Sequence, residues 1–73
     1  MEHFIVKLCE VLDVEENEIN QDSHFKDFDQ WDSLTLLSLL AMVKETYGVI
    51  LQRKDIDGVG SVKDLYDMVI AKQ

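Results

Sequence analysis

Between Ser33 and Tyr47 the chain places apolar side chains around nearly the whole circumference of a helix, and this segment limits its possible folds more than any other. Leu34, Leu37 and Ala41 fall on one side at helical spacing, while Leu36, Leu39, Leu40, Val43 and Tyr47 fill the others. A helix that apolar must be covered on several faces, by other helices or by a ligand. It belongs at the centre of whatever fold forms. Ser33 opens it, and Gly48 stands where a left-handed C-terminal cap is expected.

The flanking segments supply partners for it. Phe4, Ile5, Leu8, Val11 and Leu12 form one apolar stripe, which predicts a helix from Glu2 to Leu12. From Asp13 to Asp32 the period breaks into acids and amides, with Val14, Ile19, Phe25, Phe28 and Trp31 placed at intervals. A loop of that length carrying three aromatics near its end is expected to be ordered and packed. Val49-Ile50-Leu51 has strand propensity but no partner strand, so it reads as an extended connector. Asp55 to Val59 suggests one short helical turn. Ser61 is a good N-cap for a last helix with Val62, Leu65, Tyr66, Val69 and Ile70 inward, and Asp64 three residues later makes a variant of the capping box. The expected architecture is all-α: a single domain over residues 1–73, a small four-helix bundle in which the third helix is short and the other three pack around an apolar interior.

At 73 residues the chain is near the lower limit for a core without staples, and a buried catalytic cleft would be hard to fit. Its 47% hydrophobic content is nevertheless enough for a core. Cys9 is alone, so no disulfide can form within the chain, and a reducing cytoplasm fits best. No apolar run approaches the roughly 20 residues of a membrane span, and the first residues lack a basic secretory start. Fifteen acidic against seven basic residues give a net charge of −8, which repels nucleic-acid phosphates. Such a surface steers toward proteins with basic docking patches, or keeps a small domain soluble.

The chemistry concentrates at Trp31-Asp32-Ser33-Leu34, where a hydroxyl stands at a helix start whose first turn offers unpaired N–H groups. The positive end of the helix would offset part of the charge of a phosphate esterified there. Serine at a helix start is also an ordinary N-cap. Asp32-Ser33-Leu34 at the head of a helix resembles the attachment motif of acyl carrier proteins, and the resemblance runs over nearly the whole chain. Phe25, eight residues before the serine, matches the anchoring phenylalanine of fatty-acid-type carriers, and Glu45-Thr46-Tyr47-Gly48-Val49 is similar to the family's Glu-x-Phe/Tyr-x-Val/Ile ending.

The resemblance implies that a phosphopantetheinyl transferase, using magnesium, moves a 4'-phosphopantetheine arm from coenzyme A to Ser33. The arm's thiol would then hold an acyl group as a thioester. Ser33 would be an acceptor, with no catalytic residue and no resident metal in the chain. Asp32 would orient the transferase complex and Leu34 would give it an apolar contact. Docking of acyl ligase, synthase or acyltransferase enzymes would involve Leu34, Ser38, Met42, Glu45 and Asp55, with the carrier a cytoplasmic monomer. An aminoacyl or peptidyl carrier is the alternative within the family, and a helical interaction module is the alternative outside it.

Two departures narrow the expectation. Fatty-acid-type carriers have Gly two residues before the Asp and a small residue just before it, where this chain has Gln30 and Trp31. Their second helix is lined with acids, whereas Ser38 to Glu45 has only Glu45. Both point to a specialised fatty-acid, lipid or polyketide pathway. Other signals carry less. Asp55 to Tyr66 imitates the start of a calcium loop but has Val59 and Tyr66 where ligands are required. Cys9 reads as core packing, His3 and His24 are too scattered for a zinc site, and no Gly-x-Ser-x-Gly elbow accompanies Ser33. Phe28 and Trp31 read as loop anchors.

Overall fold

The computed structural model describes residues 1–73. Four helices form: α1 (Glu2–Leu12), α2 (Ser33–Tyr47), α3 (Arg53–Asp57) and α4 (Val62–Lys72). Most of the stripes predicted from spacing turn inward, but Ile70, expected on the inner side of α4, is 42% exposed near the end of that helix, and Leu34 and Leu37 of α2 are left uncovered. Phe4, Leu8 and Leu12 of α1, Leu36, Leu39 and Val43 of α2, and Val62, Leu65 and Val69 of α4 form the interior, closed by Ile56 of α3 and by Val49 and Leu51 of the connector. No polar or charged residue is buried among them. Cys9 joins the core, and burial, followed by the nearby Glu16, Glu15 and Glu18 carboxylates, pushes its thiol pKa up. Both effects disfavour the thiolate. Tyr47 packs a tilted ring on Phe4, with centroids 5.9 Å apart.

Each helix ends for a local reason. Gly48 takes φ +68° and its N–H donates to Lys44 O, the expected left-handed cap. Asp13 does the same work after α1 at φ 58°, a conformation that aspartate tolerates better than most residues. The third helix is displaced from its predicted place: it covers Arg53–Asp57, not Asp55–Val59. The reason is a cap that begins at Gln52, whose N–H donates to Asp55 Oδ2 at 2.9 Å. That bond starts the helix two residues early. Asp55 is thus occupied in a helix start, and Val62 to Tyr66 are helical, so the calcium-loop pattern has no loop to form.

The long segment between α1 and α2 is ordered and packed. It makes two single 3-10 turns, at Glu16–Glu18 and Phe25–Asp27, and sends Ile19 and Phe25 into the core. Its carbonyls also complete α4, whose first amides would otherwise be orphans. Val62 N–H donates to Ser23 O (2.9 Å) and Lys63 N–H to Gln21 O (2.8 Å), while Asp64 N–H donates to Ser61 Oγ and Leu65 N–H to Ser61 O. Ser61 therefore caps as expected, but the reciprocal bond from Ser61 N–H to the Asp64 carboxylate is missing. The loop serves the two amides, of Val62 and Lys63, that the box leaves out. Phe25 sits fully buried with Trp31 edge-on at 5.3 Å. Phe25→Ala should cost about 3–5 kcal/mol in urea denaturation followed by circular dichroism, whereas Leu37→Ala on the exposed face should change stability by under about 0.5 kcal/mol.

Candidate functional site

The start of α2 is built by Asp32 and Thr35. Asp32 is the N-cap, in extended conformation, and its Oδ1 accepts from Thr35 N–H at 2.8 Å. Thr35 in turn donates its hydroxyl proton to Gln30 O at 2.8 Å, which ties the incoming chain to the first helical turn. Leu36 N–H donates to Asp32 O. The Thr35 N–H, with a smaller part from the Leu34 N–H, holds the Asp32 carboxyl below the ordinary aspartate range. The backbone donor dominates, because the one hydroxyl proton of Thr35 is spent on Gln30.

Ser33 is therefore the first residue of the helix and not its cap. The ordinary role for serine at a helix start is already filled by its neighbour. Ser33 is exposed, and its own N–H has no acceptor within the chain. A hydroxyl that is free, accessible and next to an unpaired N–H suits esterification by a phosphate.

Beside it lies a cavity of about 210 Å³, open between the start of α2 and α3. Ser33 and Asp32 form one edge, with Trp31, Leu36 and Ile56 supplying apolar surface and Lys26, Arg53 and Asp57 the rest. Lys26 is fixed there by donating to Ile56 O (3.0 Å) and Asp57 O (3.4 Å) at the end of α3. Sequence spacing gave no sign that Lys26 and Arg53 would share a cavity with Ser33. The contact joins a loop residue to a helix about thirty residues away, which no local pattern encodes.

The other residues singled out by sequence divide into separate groups. Leu34 is exposed by 72% and Leu37 by 61%, and with Ala41 they make an uncovered apolar row that begins beside Ser33. Ser38 and Glu45 border a shallow groove between α1 and α2, where Lys7 and Glu10 form an ion pair at 3.7 Å. Met42 lies in the floor of that groove as part of the core, with little exposed surface of its own. Asp55 is half-buried on α3 with one carboxylate oxygen already bonded. The largest cleft, about 540 Å³, lies elsewhere, where Glu10, Asp13, Glu15 and Glu16 surround Val6 and Cys9. No group of histidine, cysteine and carboxylate side chains in the fold could hold a metal ion, and no helix is long and apolar enough to cross a membrane.

Comparison with known proteins agrees with this geometry. The family profile of the phosphopantetheine attachment site matches residues 3–69, so the chain belongs to the phosphopantetheine-binding carrier family. It is a carrier protein and not a catalyst, with 4'-phosphopantetheine as its covalently attached group. It is similar to the polyketide-8 synthase acyl carrier protein 1 of Streptomyces avermitilis, at 26% identity over 62 residues, which are 85% of this chain and 74% of that protein.

The sign of the Asp32 shift yields a test of the cap. A carboxyl whose pKa is lowered in the folded state adds stability above its unfolded value, about 3.9, and loses it as pH falls through the folded value. Asp32→Ala should therefore melt at a lower temperature than the wild type near pH 7. The gap should narrow steadily as the pH is taken below about 3.9.

Proposed function

We propose that Ser33 is the attachment point of the phosphopantetheine arm, and that the protein carries acyl intermediates for a specialised lipid or polyketide pathway. The observation that carries this is the division of labour at α2, where Asp32 takes the cap and leaves the Ser33 hydroxyl exposed at the edge of a cavity. Attachment forms a bond between Ser33 Oγ and the phosphorus nearer the pantetheine in coenzyme A. The bond from that phosphorus to the adenosine bisphosphate breaks, and the serine proton passes to a base on the transferase. This chain supplies only the acceptor and its presentation. Once attached, the arm provides a thiol that holds cargo as a thioester.

The residues around Ser33 divide the remaining work. Asp32 keeps its charge because Thr35 stabilises the anion, so it can help to orient the transferase through that enzyme's magnesium. Leu34, Leu37 and Ala41 give modifying and cargo-loading enzymes an apolar contact next to the acceptor. Ser38 and Glu45 lie further along α2, and Asp55 contributes from α3, as a polar rim. The acyl ligase, synthase or acyltransferase that docks here reads mainly apolar surface, because α2 carries few charges. That separates it from carriers recognised through an acidic second helix. The similarity to a polyketide carrier supports the same direction.

Incubation with coenzyme A, magnesium and a broad-range phosphopantetheinyl transferase should add one phosphopantetheine mass to the wild type and none to Ser33→Ala. Absence of the adduct on a folded wild-type protein would sink this reading. Offering acyl and aminoacyl ligases to the modified protein should give an acyl thioester, and exclusive aminoacyl loading would move it to the alternative class of carrier.

A further inference from the structure

We infer that Arg53 is a positioning residue for the phosphodiester at Ser33, holding the arm's charged root over the cavity between α2 and α3. The inference rests on attachment at Ser33 and goes beyond it by assigning a counter-charge. Arg53 is the only arginine in a chain of net charge −8, and it lines the same cavity as Ser33. The other cation there, Lys26, is already committed to the carbonyls of Ile56 and Asp57. Arg53 is not. The two ion pairs of the fold, Lys7–Glu10 and Lys63–Asp67, leave it out.

The carboxylates that share the cavity do not satisfy Arg53 either. Asp32 accepts from Thr35 N–H, and Asp57 lies on the cavity wall without forming an ion pair. An esterified Ser33 would bring a permanent negative charge to this edge. A guanidinium is charged at every relevant pH, and its planar fork matches phosphate oxygens in a way that an ammonium does not. Asp57 acts in the opposite sense, as a like charge repelling the phosphodiester. Trp31, Leu36 and Ile56 complete the cavity with apolar surface on which the first part of the arm can lie.

The holo forms of the wild type, Arg53→Gln, Arg53→Lys and Asp57→Asn, each checked by intact mass and circular dichroism, are compared by phosphorus NMR at low salt. The reference is the same holo protein unfolded in urea. The wild-type phosphodiester resonance should stand apart from the reference, with Arg53→Gln close to it and Arg53→Lys between the two. Asp57→Asn should move further from the reference than the wild type. Raising the salt to 1 M, where the screening length is about 3 Å, should draw the wild type toward Arg53→Gln. Coincident wild-type and Arg53→Gln resonances on fully modified, folded proteins overturn the role of Arg53 and leave attachment intact. No adduct on the wild type removes attachment, and this inference with it. If Arg53→Gln does not fold, Asp57→Asn decides: a shift away from the reference supports the contact, and no shift or a shift toward it refutes it.

Discussion

Burial of Phe25 is the constraint on which the rest of the molecule depends. A loop running from Asp13 to Asp32 pays a large ordering entropy, which its polar residues cannot offset. One fully buried aromatic ring, with Ile19 deeper in the loop and Trp31 edge-on behind it, supplies the apolar area that makes the ordered path favourable. Once the ring is seated, Gln21 and Ser23 lie where their carbonyls receive the first amides of α4, and Gln30 lies where it meets Thr35. The loop thus fixes two helix starts at once. One of them is closed by backbone partners, and the other is left open at Ser33.

That difference between the two helix starts is what gives the site its chemistry. At α4 the serine itself is the cap, its hydroxyl bonded to Asp64 N–H. At α2 the aspartate before the serine accepts the equivalent bond, so the serine moves one position into the helix and its hydroxyl faces solvent. Two serines at two helix starts therefore have opposite fates. The residue that decides between them is the one that precedes each serine: Asp32 in one case and Gly60 in the other. Glycine has no side chain to take the cap.

Much of this was legible from sequence because it is periodic. The helices α1, α2 and α4, the left-handed Gly48 and the Ser61 cap all follow from side-chain spacing over one or two turns and formed where expected, although Ile70 of α4 and the Leu34, Leu37 and Ala41 side of α2 stay exposed. The position of α3 was not legible, because its start depends on the Asp55 carboxylate turning back to Gln52, a choice that a five-residue segment makes on a single bond. The burial of Met42 was not legible either, because α2 is apolar on nearly every side and spacing alone does not say which side α1 covers. The motif around Ser33 could be read in one dimension. The cations beside it could not, since they arrive from the loop and from α3.

The brevity of α3 has a mechanical consequence. Five residues make little more than one turn, and the helix is held to the body by the single buried side chain of Ile56 and by the Lys26 ammonium on its last carbonyls. The other helices each bury three or four side chains in the interior that Ile56 closes, so displacing any of them opens far more of the core. Swinging α3 outward exposes one isoleucine and releases one lysine, a cost of about 2–3 kcal/mol for the side chain that thermal fluctuation can meet without unfolding the rest. Of the walls of the cavity beside Ser33, the one made by α3 is thus anchored by a single buried side chain, whereas the acceptor serine stands on a helix that buries four.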